Sequence, residues 1–263
     1  CDGVMAGWLV PDWPAPAGIR AVCTTRVGGV SAVPYDSLNL GDHVGDQADL
    51  VANNRAIFQQ AIGVQPIFLN QVHGTKVLQL DAATPHACSA DACLTNQLGI
   101  ACTIMVADCL PVLLTTTRGD WVAAAHAGWR GLAGLDGIGV LETTCKSFGA
   151  LALTEYALAA TDIIAWLGPC IGPQAFEVGD EVRATFVAHD ALALPLFEAR
   201  QPGKWLADLA GLARQRLARL GITRVYGNDS SPAWCTASQP SRFFSHRRDR
   251  ISGRFAASIW RVA

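Results

Sequence analysis

The sequence predicts an α/β fold in a single domain spanning residues 1–263, with mixed β-sheets covered by helices, and three observations carry that expectation. Apolar residues make up 51% of the 263 and charged residues 16%, so a large core can be buried, yet the apolar content falls in many short runs. Strand-like runs alternate with stretches whose apolar residues recur every three or four positions, the pattern of strands and helices interleaved along one chain. No linker, internal repeat or low-complexity tract divides the chain, and only residues 1–7 read as a flexible N-terminal extension.

Residues 19–25 read as a strand that runs into the turn at Gly28 and Gly29 and a long loop through Gly41. From Asp46 or Asp49 the spacing turns helical, with Leu50, Ile57, Phe58 and Ile62 on one face, an aspartate to cap the start and Gly63 to end it. Short strands are expected at 67–70 and 76–80. The most apolar part, 99–131, divides into three β-like runs at 108–111 and at Arg118-Gly119-Asp120, and these should be central strands. A helix over 134–148 would bury Ile138, Leu141, Cys145 and Phe148. Beyond it the pattern predicts a strand at 163–168, helices at 178–189 and 205–220, a strand at 222–227, and a closing strand over 254–262.

Composition also excludes. No apolar stretch approaches the roughly 20 residues of a membrane span, and the N-terminus lacks the basic start and apolar centre of a signal peptide. A cytoplasmic protein is expected. A net charge of −2 offers no electrostatic case for nucleic acid or an acidic membrane, which points to small molecules as partners; nothing in the sequence sets an oligomeric state. Nine cysteines, an odd number without a signal peptide, read as reduced thiols rather than a disulfide framework.

Three segments place soft or imidazole ligands at the ends of apolar runs: NQVHGT with His73, ADCLP with Cys109, and AAAHAGWRG with His126. Two imidazoles and a thiolate suit Zn²⁺, and three protein ligands leave a fourth position for water or substrate; Cu²⁺ accepts the same set. Spacing alone leaves two other readings open, a set of buried core residues and a Cys-His nucleophile pair.

These segments, with TTRVGGVS (24–31), SLNLGDHVGD (37–46), ADCLPVLL (107–114), WLGPCIGPQAFEVGDEV (166–182), GKWLADL (203–209) and RFFSHRRD (242–249), closely resemble the YfiH-like family, also called laccase-domain or polyphenol oxidase proteins. The resemblance runs in order from about Trp8 to Trp260. It implies a fold like the catalytic domain of cytotoxic necrotizing factor toxins, and a metal site of His73, Cys109 and His126, usually holding zinc. It also implies purine nucleoside chemistry: phosphorolysis of adenosine, inosine, guanosine or methylthioadenosine, with adenosine deamination alongside. Copper-dependent phenol oxidation and hydrolytic editing of peptidoglycan precursors by Cys109 and His126 belong to the same family's descriptions, and a non-catalytic binding protein is the reading from a different class. Six scattered histidines are too few for a multicopper cluster.

Phosphorolysis needs an anion site, and Arg26 beside the Gly28-Gly29 turn has the two-pronged guanidinium for phosphate. Asn39, His43 and Gln71 are the other expected substrate contacts. Deamination needs a carboxylate as acid and base; the H-x-E and P-C-x-x-C signature of zinc deaminases is absent, leaving Asp91, Asp108 and Glu177 as candidates. The basic stretch Arg242, Arg247, Arg248, Arg250 and Arg254, with His246, reads as a solvated face that would otherwise gather phosphate. His86 and His189 read as surface residues. Cys170, Cys235, Trp129 and Trp166 read as packing.

Overall fold

The computed structural model describes residues 7–152 and 159–263, and so the expected extension, apart from Gly7, lies outside the described residues. Strand β1 (Ile19–Cys23) leads through the glycine-containing loop to α1 (Ala48–Ile62), which Gly63 ends in the left-handed conformation, φ 71°. Then come β2 (Gln65–Phe68), β3 (Val77–Gln79) and β4 (Ala92–Thr95), and the most apolar segment becomes β5 (Ile100–Val106), β6 (Leu110–Thr116) and β7 (Val122–Ala127). Helices α2 (Trp129–Ala133) and α3 (Val140–Ala152) precede β8 (Ile163–Leu167), β9 (Glu177–Gly179) and α4 (Asp180–Val187). The chain closes with β10 (Phe197–Gln201), β11 (Lys204–Ala207), α5 (Leu209–Arg219), β12 (Arg224–Gly227), α6 (His246–Asp249) and β13 (Phe255–Arg261).

Two mixed sheets stack face to face between helices. One has the order β1-β13-β5-β2, the other β12-β8-β6-β7-β4-β3, and β10-β11-β9 form a small antiparallel sheet. Between the two large sheets Cys102, Ile104, Phe255 and Ile259 pack with Leu113, Val122, Ala124 and Trp166. Outside the first sheet, Phe58 of α1 meets Val22, Met105 and Trp260. Outside the second, Leu141 and Phe148 of α3 and Leu212 of α5 cover Val112, Leu114, Ala123 and Ala125. A strand in either inner layer is therefore covered on both faces, and β5, β6 and β7 are buried at every residue instead of alternating. Each fully buried aliphatic or aromatic side chain contributes on the order of 1.5–3 kcal/mol, so this central stack dominates the stability.

Several expectations need correction. The buried face of α1 is Val51, Asn54 and Phe58, with Leu50, Ile57 and Ile62 only partly covered, because Asn54 turns inward to hold the preceding loop. Its amide donates to Ser31 Oγ and to the carbonyls of Ser37 and Asn39, and its oxygen accepts from Val30 N–H at 2.8 Å. Ile138 is 57% exposed and precedes α3; Gly137, at φ 77°, and Gly139 hold a turn there instead. The helix expected at 178–189 begins only after Gly179, since the first residues pair with β11 as β9. Likewise Trp205 and Leu206 lie in β11, and the helix waits for Asp208, whose carboxylate caps it by accepting from Gly211 N–H at 2.8 Å. The short β4 and the polar, exposed β10 carry too little pattern to read.

Candidate active site

Three elements bring His73, Cys109 and His126 together. His126 lies in β7, opposite Pro111 of β6, so Cys109, immediately before β6, reaches the same end of the sheet. His73 comes from the loop between β2 and β3. His73 Nε2 is 3.7 Å from Cys109 Sγ, and the three ligand atoms all lie within 4.8 Å of one another. Ligands at zinc bond lengths in a tetrahedron stand about 3.5 Å apart, so this donor set fits one such ion with a small closure.

Asp91 organises the set from beneath. The side chain is fully buried, and its carboxylate accepts from the N–H groups of Val72, His73 and Gly74 (3.2, 2.8 and 2.7 Å) and from His126 Nδ1 (2.9 Å). One residue thus fixes the loop that carries His73, at φ 60°, and leaves Nε2 of His126 for the centre, the carboxylate–histidine arrangement that orients metal-binding imidazoles. Burial alone would raise the Asp91 carboxyl; the hydrogen bonds from His126, Gly74 and Val72 outweigh it and hold it below its usual value. For Cys109, burial is likewise overcome by the charge and hydrogen bond of His126 and by His73, which draw the thiol down to about 6. Burial pulls His126 down, but the Cys109 charge and the Asp91 hydrogen bond push it up to about 9. Both shifts run in the direction that favours thiolate on Cys109 and imidazolium on His126.

The glycines of the AGWRG segment make room for this. A Cβ on Gly128 would stand 2.9 Å from both Cys109 Sγ and His73 Cδ2, and one on Gly131 would stand 2.8 Å from the Gly74 carbonyl.

The three ligands open on a cavity of about 400 Å³. Trp129, Ile171, Phe176 and Leu209 give it an apolar wall, and His43, His246, Arg247 and Arg254 give it a basic one. Gly41 leaves space for Arg254, whose Cγ would lie 2.8 Å from a Cβ there. The basic stretch, expected on a solvated face unless it gathers phosphate, puts Arg247 and Arg254 in the cavity lining, and their place in the RFFSHRRD motif and its flank is the signal for it in the sequence. Trp129 likewise borders the cavity rather than only packing.

The expected substrate contacts divide. His43 lines the cavity. Gln71 also lines it, but its amide is paired with the Met105 peptide, donating to the carbonyl at 2.7 Å and accepting from the N–H at 2.8 Å. Asn39 is fully buried away from the cavity, bonded to Gly41, Asp46 and the Arg254 N–H. Arg26 needs the larger correction. It lies outside the cavity lining, donating to the Asp36 carbonyl and carboxylate and to the Pro240 carbonyl (2.8, 2.9 and 3.0 Å) with Phe244 beneath it, so it clamps loops instead of meeting an anion. The candidate carboxylates are also committed: Asp91 has four donors, Glu177 faces Arg200 at 3.4 Å, and Asp108 accepts from Thr236 and Arg247. Cys170 and Cys235 are buried outside the lining, Trp166 is buried against Trp234, and His86 and His189 are exposed.

Residues 20–262 match the family described as multi-copper polyphenol oxidoreductase laccase. The chain belongs to this family. Among curated relatives, it is 48% identical over 257 residues to a Pseudomonas aeruginosa protein named purine nucleoside phosphorylase, covering 97% of this chain and 99% of that one. It is 47% identical over 260 residues to the Escherichia coli protein named purine nucleoside phosphorylase YfiH, covering 98% and 100%. Among solved structures, a Neisseria meningitidis protein of the DUF152 family superposes with a TM-score of 0.88 at 44% identity, covering 98% and 100%, and YlmD of Geobacillus stearothermophilus with 0.85 at 31%, covering 99% and 98%. The multi-copper description does not fit the donors of this laccase-domain chain, since His73, Cys109 and His126 are the only such ligand group among the described residues. Of its described cysteines none is paired, and no helix is long and apolar enough to cross a membrane.

Proposed function

We propose that the chain is a metal-dependent purine nucleoside phosphorylase. The observation that carries this reading is a single cavity lined together by a three-residue candidate metal-ligand group, two arginines, and aromatic and aliphatic side chains. Relatives named purine nucleoside phosphorylase, matched over nearly the whole chain, support it. In this reading the apolar wall holds the purine, and Arg247 and Arg254 hold phosphate. Phosphate oxygen attacks C1′, the C1′–N9 bond breaks with its electron pair leaving on the base, and the purine takes up a proton. His43 and His246 are the cavity imidazoles outside the ligand set that could carry that proton. His73, Cys109 and His126 would hold the ion, with zinc favoured by the His₂Cys set and copper accepted by it; a bound ion supplies Lewis-acid polarisation of an oxygen.

Adenosine deamination draws less support. Among the described residues the one carboxylate lining the cavity is Asp108, which already accepts from two donors, and no other of them stands ready as acid and base. A hydrolase reading does have a specific observation behind it, because Asp91, His126 and Cys109 are linked in the order of an orienting carboxylate, base and thiolate nucleophile. His73 is surplus to that triad and accounts for a metal.

Mass analysis of products from a panel of nucleosides, with and without phosphate, tests the proposal. Ribose 1-phosphate and free purine, formed only with phosphate and lost on metal removal, are expected. Inosine from adenosine without phosphate would favour deamination, and full activity of metal-free protein with an adduct on Cys109 would favour the hydrolase.

A further inference from the structure

Asp108 occupies the turn between β5 and β6, next to Cys109, at φ 89°. Side-chain-bearing residues avoid this backbone unless their surroundings hold them in it. The groups that hold Asp108 are far away in sequence. Thr236 Oγ donates to Oδ1 at 2.6 Å, the Arg247 N–H donates to Oδ2 at 2.6 Å, and the Ile171 N–H donates to the backbone carbonyl at 2.9 Å. A turn that needed only the conformation would be served by Gly or Asn; a carboxylate with both oxygens spent on remote segments is a tie between them.

The other end of that tie is Arg247. From its pinned backbone N–H its side chain crosses to lie over Phe176, 5.6 Å from the ring, and Nη1 donates to the carbonyls of Ala175 and Glu177 at 3.3 and 3.1 Å. Nε and Nη2 have no hydrogen-bond partner among the described residues, and the side chain lines the cavity that Cys109 also lines. A guanidinium held at both ends, with one edge unused, is prepared for a planar pair of oxygens.

We propose that Asp108 is the positioning residue that sets Arg247 in the cavity Cys109 also lines, so that its free guanidinium edge receives the anionic co-substrate. This rests on the phosphorolysis reading above. Asp108→Asn keeps the volume and one acceptor but turns an N–H₂ toward either Thr236 Oγ, which can accept, or the Arg247 N–H, which cannot. The hydroxyl is the tolerant partner only if the Asn oxygen stays on Arg247, so Asp108→Ala, which removes both contacts, accompanies it.

The test uses the full-length, metal-loaded protein, with inorganic phosphate as the probe. For Asp108→Ala, both the KM for phosphate and the calorimetric Kd for phosphate without nucleoside should rise by about tenfold or more, as expected when a catalytic group shifts by about an ångström. Nucleoside KM and bound metal should stay within about twofold of wild type, and Asp108→Asn and Thr236→Val, which each remove only part of the tie, should fall between wild type and Asp108→Ala for phosphate. Adding Asp108→Ala to Arg247→Ala should cost nothing further for phosphate, because both act through one guanidinium. Unchanged phosphate affinity in Asp108→Ala, a parallel loss of metal and of both KM values, or full additivity with Arg247→Ala would overturn the proposal. If wild type forms no ribose 1-phosphate, the phosphorolysis reading fails; phosphate binding that both variants weaken would still uphold the role of Asp108, and no phosphate binding by wild type would overturn it.

Discussion

Asp91→Asn replaces the carboxylate beneath the candidate metal ligands with a group of the same shape that can accept at one oxygen only. Four N–H groups now point at it, from Val72, His73, Gly74 and His126. The asparagine oxygen can keep about two of them, while its N–H₂ faces the others donor to donor. Hydrogen bonds to a charged group contribute about 1.5–3 kcal/mol each, so losing two costs about 3–6 kcal/mol, which in a chain of this size lowers the melting temperature by on the order of 10 °C. Part of the cost falls on the site itself, because an imidazole without its orienting carboxylate binds metal about 10–100-fold more weakly. Competition for zinc with a chromogenic chelator, beside thermal melts of metal-free and metal-loaded protein, measures both. A variant whose zinc affinity and metal-free melting temperature both stay at wild-type values would show that the carboxylate holds neither ligand, and the account of the site would fail.

Two further outcomes follow from the same geometry. Gly128→Ala has an ordinary backbone conformation, φ −68° and ψ 159°, so its methyl acts only by crowding Cys109 and His73 at 2.9 Å; overpacking of about 1–3 kcal/mol borne by the bound state predicts zinc affinity lower by roughly 5- to 150-fold with little change in metal-free stability, and equal loss in both states would contradict it. In metal-stripped protein at pH 7, Cys109, held at about 6, should be the first of the described thiols alkylated by iodoacetamide and should be protected by Zn²⁺. By contrast, burial pushes Cys145 up to about 12 and Cys23 and Cys170 well above the usual thiol range. Peptide mapping that finds Cys170 labelled ahead of Cys109 would refute that ordering.

What was legible in the sequence is local. The apolar runs of β5, β6 and β7 announced themselves because strands covered on both faces need apolar residues throughout, and His73, Cys109 and His126 stood out as reactive side chains at the ends of such runs. The sequence alone also excluded a multicopper cluster, by histidine count. It could not decide where a side chain of common type ends up. Arg26 and Arg247 both lie within family motifs, yet Pro240 and Asp36 consume one while the other, its N–H on Asp108 and its guanidinium over Phe176, lines the cavity, and both outcomes depend on partners brought from distant parts of the chain. The same reason hid the stacking of two sheets and the strand ends at Trp205 and Val178: hydrogen-bond pairing with another segment overrode a helical period that was present in the residues themselves. Periodicity reports the face a segment can bury, whereas only the assembled fold supplies the neighbour that decides whether it does.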